Sequence, residues 1–73
     1  MATNQIESLV TGTVWKLERK NGDLLVKGET ILIIESMKME IPIDAPVAGT
    51  LRELLVAEGE SVSEGQVLAI VLS

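Results

Sequence analysis

No cysteine and no histidine occur in this 73-residue chain, and Trp15 is its only aromatic residue. Without cysteine there are no disulfide staples. Without either residue type the usual ligands of zinc, iron and copper are missing, and no metal site is expected. A chain this short ordinarily leans on such devices. Its stability must instead come from aliphatic packing. The hydrophobic fraction is 47%, and burying each Leu, Ile or Val contributes roughly 1.5–3 kcal/mol. Basic residues are also scarce, 6 against 11 acidic ones, for a net charge of −5. That balance gives no footprint for nucleic acid and no attraction to an anionic membrane surface. No apolar run approaches the length of a bilayer span. Met1-Ala2-Thr3-Asn4-Gln5 carries no positive charge and leads into no apolar segment, so a secretory signal is not expected. The expected location is the cytoplasm, or an organelle if a transit peptide has been removed.

What is present is a repeat. The six glycines fall into three pairs, Gly12/Gly49, Gly22/Gly59 and Gly28/Gly65, each 37 residues apart. At that offset Leu9–Ile34 slides onto Pro46–Val71 without a gap. The match pairs Val10 with Val47, Thr13 with Thr50, Leu17 with Leu54 and Ile33 with Ile70. One domain over residues 1–73 is expected, with halves at about 6–36 and 43–73. Neither half can bury its apolar face alone, and two copies suit a closed pseudo-two-fold pair better than a solenoid.

The local signals are those of strands: Ile, Val, Leu and Thr between closely spaced glycine turns. Thr13–Leu17 and Thr50–Leu54 form one strand per half. Their apolar residues Val14/Leu17 and Leu51/Leu54 lie three apart, which predicts a bulge. Turns are expected at Asn21-Gly22-Asp23, Lys27-Gly28-Glu29 and their mates. Closing strands follow at Thr30–Glu35 and Val67–Val71, giving about eight strands and no substantial helix. Trp15 is expected to pack on a strand face. Lys16, Lys20 and Lys27 read as solvated charges.

Between the halves lies Glu35-Ser36-Met37-Lys38-Met39-Glu40. Glu, Met and Lys are good helix formers, but Pro42 and the flanking β-branched residues favour a hairpin with Met37-Lys38 as its loop. Counting outward, Ser36 faces Met39, Glu35 faces Glu40, Ile34 faces Ile41 and Leu32 faces Ile43. The aliphatic face turns inward and two carboxylates oppose each other outside. A two-residue loop of the favoured type wants positive φ, hence Asn-Gly or Asp-Gly. Met-Lys is sterically poor there, and a locally costly choice marks a functional constraint.

This hexapeptide, set between the halves of such a repeat, resembles the attachment signature of the biotinyl/lipoyl domain family, and the resemblance covers about Ile6 to Val71. It implies an all-β fold, a flattened barrel of two four-stranded antiparallel sheets related by a quasi-two-fold axis, with the modified lysine on a tight hairpin. It also implies that Lys38 carries covalent biotin, and that Met37 and Met39 are its recognition residues. Glu35, Ser36 and Glu40 are further candidates for ligase recognition. Ser36 stands where the family more often has alanine. Leu9 stands where the first half often has proline, and no thumb is inserted.

A lysine ammonium at neutral pH is a poor nucleophile unless a neighbour takes its proton. With no His or Cys to do so, Lys38 reads as a substrate, and the chain as a carrier rather than an enzyme. The resemblance implies biotin ligase as one partner, with biotin carboxylase and carboxyltransferase components as the others. Carboxybiotin would travel between their sites on a flexible arm. Two alternatives stand beside this reading. A lipoyl carrier would bear lipoate on the same lysine, although methionine on both sides favours biotin. An unmodified β-barrel interaction module would carry nothing.

Overall fold

Aliphatic, β-branched segments interrupted by glycine every few residues pair as strands, because the pleated surface accommodates their branched side chains. The computed structural model describes residues 2–73. It contains eight strands and, among the described residues, no helix. In chain order they are β1 (Thr3–Glu7), β2 (Gly12–Leu17), β3 (Leu24–Leu25), β4 (Thr30–Ser36), β5 (Met39–Asp44), β6 (Gly49–Leu54), β7 (Ser61–Val62) and β8 (Val67–Leu72). They form two four-stranded antiparallel sheets, ordered β1-β8-β6-β3 and β5-β4-β2-β7. The expected fold class is the observed one.

The 37-residue offset carries each sheet onto the other, with β2 onto β6, β3 onto β7, β4 onto β8 and β1 onto β5. The halves are not separate half-barrels side by side. Each sheet takes two strands from each half, so neither half closes without the other. The repeat also reaches further than the sequence match, because β1 and β5 obey it too.

The core is built from mates. Ile6/Ile43, Val14/Leu51, Leu25/Val62, Ile31/Leu68, Leu32/Ala69 and Ile34/Val71 are all buried. The predicted bulges occur as register shifts between Val14 and Lys16 and between Leu51 and Glu53. Trp15 lies on strand β2. The residue is 48% exposed at the bulge of β2 and does not join the core. At a bulge the alternation breaks and the extra residue turns away from the pleat.

The four turn glycines, Gly22, Gly28, Gly59 and Gly65, have φ between 85° and 94°. Turn side chains repeat in chemistry even where identity changes. Asp23 accepts from the Lys20 N–H and its mate Glu60 from the Ala57 N–H. Asn21 accepts from Leu54 and its mate Glu58 from Leu17. Glu29 accepts from the Val26 N–H and its mate Gln66 from the Ser63 N–H. Glu29 differs from Gln66 in carrying charge. The Val26 N–H, and then the Arg19 guanidinium at 2.9 Å, hold its carboxyl below the usual carboxylate range.

A folded-state value below the unfolded one stabilises the fold at higher pH, and the contribution disappears as pH falls through the folded value. Glu29→Gln, which reproduces Gln66, is therefore expected to lower thermal stability at pH 7. The difference from wild type should shrink on acidification below the ordinary glutamate range. A difference unchanged between pH 7 and pH 3 in thermal unfolding would show that the charge contributes nothing.

Candidate functional site

Strands β4 and β5 meet in a hairpin with Ser36 opposite Met39, Glu35 opposite Glu40, Ile34 opposite Ile41 and Leu32 opposite Ile43. This is the expected register. Leu32, Ile34 and Ile43 are buried, while Glu35 and Glu40 stand exposed on the outer face. The loop is Met37-Lys38, and both residues have positive φ, 52° and 65°. Two left-handed residues give the turn whose twist matches that of the flanking strands. For residues with a Cβ each costs roughly 1–2 kcal/mol.

The loop is a convex tip. Met37 is 93% and Met39 62% exposed, so neither belongs to the core. Lys38 is exposed as well. The ion pairs among the described residues are Lys16–Glu18 and Arg19–Glu29, so the Lys38 amine is held by no carboxylate. A groove of about 260 Å³ between β1 and β5, lined by Ile6, Ile43, Leu9 and Pro46, lies away from the tip. An exposed, unpaired amine on a projecting turn suits acylation by an external enzyme and fits the attachment of biotin or lipoate.

Ser36 differs from its neighbours. It is half-buried, and its hydroxyl donates to the Thr11 carbonyl oxygen at 2.9 Å. The Thr11 hydroxyl accepts from the Glu64 N–H at 3.0 Å. The tip, the β1–β2 link and the β7–β8 turn therefore share one end of the barrel. Strand β8 starts at that end and runs away from it. Ala2 and Ser73 sit at the other, where they exchange two backbone hydrogen bonds. Among the expected site residues, Lys38, Met37, Met39, Glu35 and Glu40 share one exposed tip. Ser36 faces inward, and Thr11 is a contact that the hexapeptide alone could not reveal.

Comparison with known proteins agrees with this geometry. A family model described as "Biotin-requiring enzyme" matches residues 2–71. A biotin/lipoyl attachment protein of Bacillus subtilis (strain 168) is 48% identical over 59 residues, which are 81% of each chain. A dihydrolipoyllysine-residue succinyltransferase component of the 2-oxoglutarate dehydrogenase complex, from Staphylococcus saprophyticus, is 38% identical over 65 residues, 89% of this chain and 15% of that one. The crystal structure of Kluyveromyces lactis urea carboxylase superposes with a TM-score of 0.93 at 29% identity, covering 99% of this chain and 6% of that one. With a family match along nearly its whole length and the same barrel, this chain belongs to the biotin/lipoyl attachment domain family.

Proposed function

We propose that this domain is a biotin carrier, acylated on Lys38 by a biotin ligase and moving a carboxyl group between the active sites of a biotin-dependent carboxylase. The observation that carries the reading is the tip itself: a free, exposed lysine on a strained two-residue turn, flanked by two exposed methionines. Strain kept at an exposed tip signals a demand other than stability. Methionine presents a pliable apolar surface for a partner to grip. Both flanks being methionine favours biotin over lipoate, and likeness to a carboxylase domain supports the same choice.

The chemistry at the tip is acyl transfer. Lys38 Nζ gives a proton to the ligase and attacks the activated carboxyl carbon. An amide forms as the activating group leaves. Met37, Met39, Glu35 and Glu40 supply the face the ligase reads. Once attached, biotin supplies a ring nitrogen that accepts and releases a carboxyl group. The chain's own part is to hold that arm on an exposed tip, so that the arm sweeps freely between a biotin carboxylase and a carboxyltransferase component. The proposed setting is the cytoplasm, or an organelle reached by a removable transit peptide.

Lipoylation on the same lysine is the second reading, motivated by the lipoyl-type relative. Intact mass separates the two. After incubation with biotin ligase, ATP and biotin, the domain is expected to gain one biotinyl group. Lys38→Ala is expected to gain none. A lipoyl shift alone, with lipoate and its ligase, would replace biotin by lipoate. No shift with either ligase would remove both carrier readings.

A further inference from the structure

The pseudo-two-fold supplies an internal control for what the fold needs. At the lysine pole the Ser8 N–H donates to Gln66 O at 2.9 Å, and the Gly65 N–H donates to Ser8 O at 2.8 Å. At the other pole the mates do the same. The Ala45 N–H donates to Glu29 O, and the Gly28 N–H to Ala45 O, both at 2.8 Å. The backbone joint is thus the fold's own requirement and appears twice.

Side chains at the same joint are not repeated. Ser8, 2% exposed, donates from its hydroxyl to the Val10 carbonyl at 2.6 Å, and its mate Ala45 has no hydroxyl. Thr11 accepts from the Glu64 N–H, and its mate Ala48 has no hydroxyl. Ser36 donates to Thr11 O, whereas its mate Ser73 takes Asn4 as partner instead. The barrel closes at the far pole without these three bonds. Their presence at the lysine pole therefore answers to the tip they adjoin, not to folding in general.

We propose that Ser36, seated on the Thr11 link, is a positioning residue. Its hydrogen bond clamps the stem of the lysine hairpin to the rest of the barrel and holds the strained Met37-Lys38 turn in the form that the modifying ligase binds. This rests on the carrier reading above and deepens it. Ser36 acts by facing inward and is not part of the surface the ligase reads. A tip that leaves its bound form part of the time lowers the fraction of competent molecules. Apparent affinity falls in proportion, while the chemical step in the complex is unchanged. A hydrogen bond of ordinary net strength corresponds to roughly a fivefold change in the equilibrium constant between the two forms.

The test compares wild type with Ser36→Ala, Ser36→Thr and Ser73→Ala. The ligase reaction is run with the domain as varied substrate, alongside amide hydrogen exchange at Met37–Glu40 and thermal unfolding. Ser36→Ala is expected to raise KM for the domain by up to roughly fivefold with kcat unchanged, and to speed exchange at the tip alone. Ser36→Thr, which keeps the hydroxyl, is expected to restore both values. Ser73→Ala, at the matching position of the other pole, is expected to change neither. A Ser36→Ala protein with wild-type KM and tip exchange overturns the clamp and leaves the carrier reading standing. Loss of protection throughout the barrel with a collapsed Tm also overturns it, because the bond then serves the fold. A wild-type domain that the ligase does not modify removes the carrier reading, and the proposal with it.

Discussion

Replacing Gly49 with alanine is expected to destabilise the domain by roughly 3 kcal/mol or more, a larger loss than any single change at the lysine tip. Gly49 opens β6 and does not need a left-handed backbone. It needs room. A Cβ there would lie well inside contact distance of the Leu72 carbonyl oxygen and 2.9 Å from the Leu72 carbonyl carbon. Those neighbours are main-chain atoms of β8, itself paired with both β1 and β6. The clash cannot be relieved by turning a side chain, so a sheet must shift. A domain of this size has a total stability on the order of 4–11 kcal/mol, and each kcal/mol lost lowers Tm by about 4–8 °C.

Gly12 is the mate of Gly49 and meets the mates of the same atoms, the Glu35 carbonyl oxygen and the Ile34 side chain. Gly12→Ala is expected to be similarly destabilising, and it also displaces the strand that bears the lysine hairpin. Thermal or urea unfolding checks both. A Gly49→Ala protein within about 1 kcal/mol of wild type would show that β6 and β8 can part enough to admit a methyl group.

Much of this arrangement is legible in the sequence for physical reasons. Glycines recur at the 37-residue offset because both halves need the same close approach at Gly12/Gly49 and the same positive φ at the turns. The spacing of Val14 and Leu17 betrays the bulge because an extra residue shifts the pleat. Hairpin register follows from alternation, since a slip by one residue would bury Glu35 and Glu40. The exchange of edge strands is not legible. β1 and β5 lie at the rim, and only Ile6/Ile43 and Glu7/Asp44 are chemically alike along them. β5 pairs with its hairpin neighbour β4, but β1 pairs with β8 at the opposite end of the chain. The Ser36–Thr11 bond spans 25 residues and leaves no local pattern. The half-exposure of Trp15 is legible too. Its mate is Arg52, and a position that accepts arginine in the other half is not a core position.

At the tip, Met37→Asn is expected to move stability and modification in opposite directions. Met37 adopts φ 52° while 93% exposed, so it bears the strain of the left-handed region and returns no packing to the core. Asparagine tolerates that region better. A gain of about 0.5–1 kcal/mol is expected, seen as a rise of a few degrees in Tm. The substitution also removes an exposed apolar contact next to Lys38. Losing one such anchor from a partner's interface commonly costs about 1–2 kcal/mol, so biotinylation is expected to slow roughly tenfold. Met39→Ala separates the two effects. Met39 lies on β5 without positive φ and is 62% exposed. Its removal should slow modification without raising Tm. A Met37→Asn domain that is both stabler and modified at the wild-type rate would show that the ligase does not read Met37. A marked fall in Tm would show that the turn is stable with methionine for a reason its exposure conceals. The expected pair of results, a stabler fold and a poorer substrate, would mean that the strained turn is retained because a partner must recognise it.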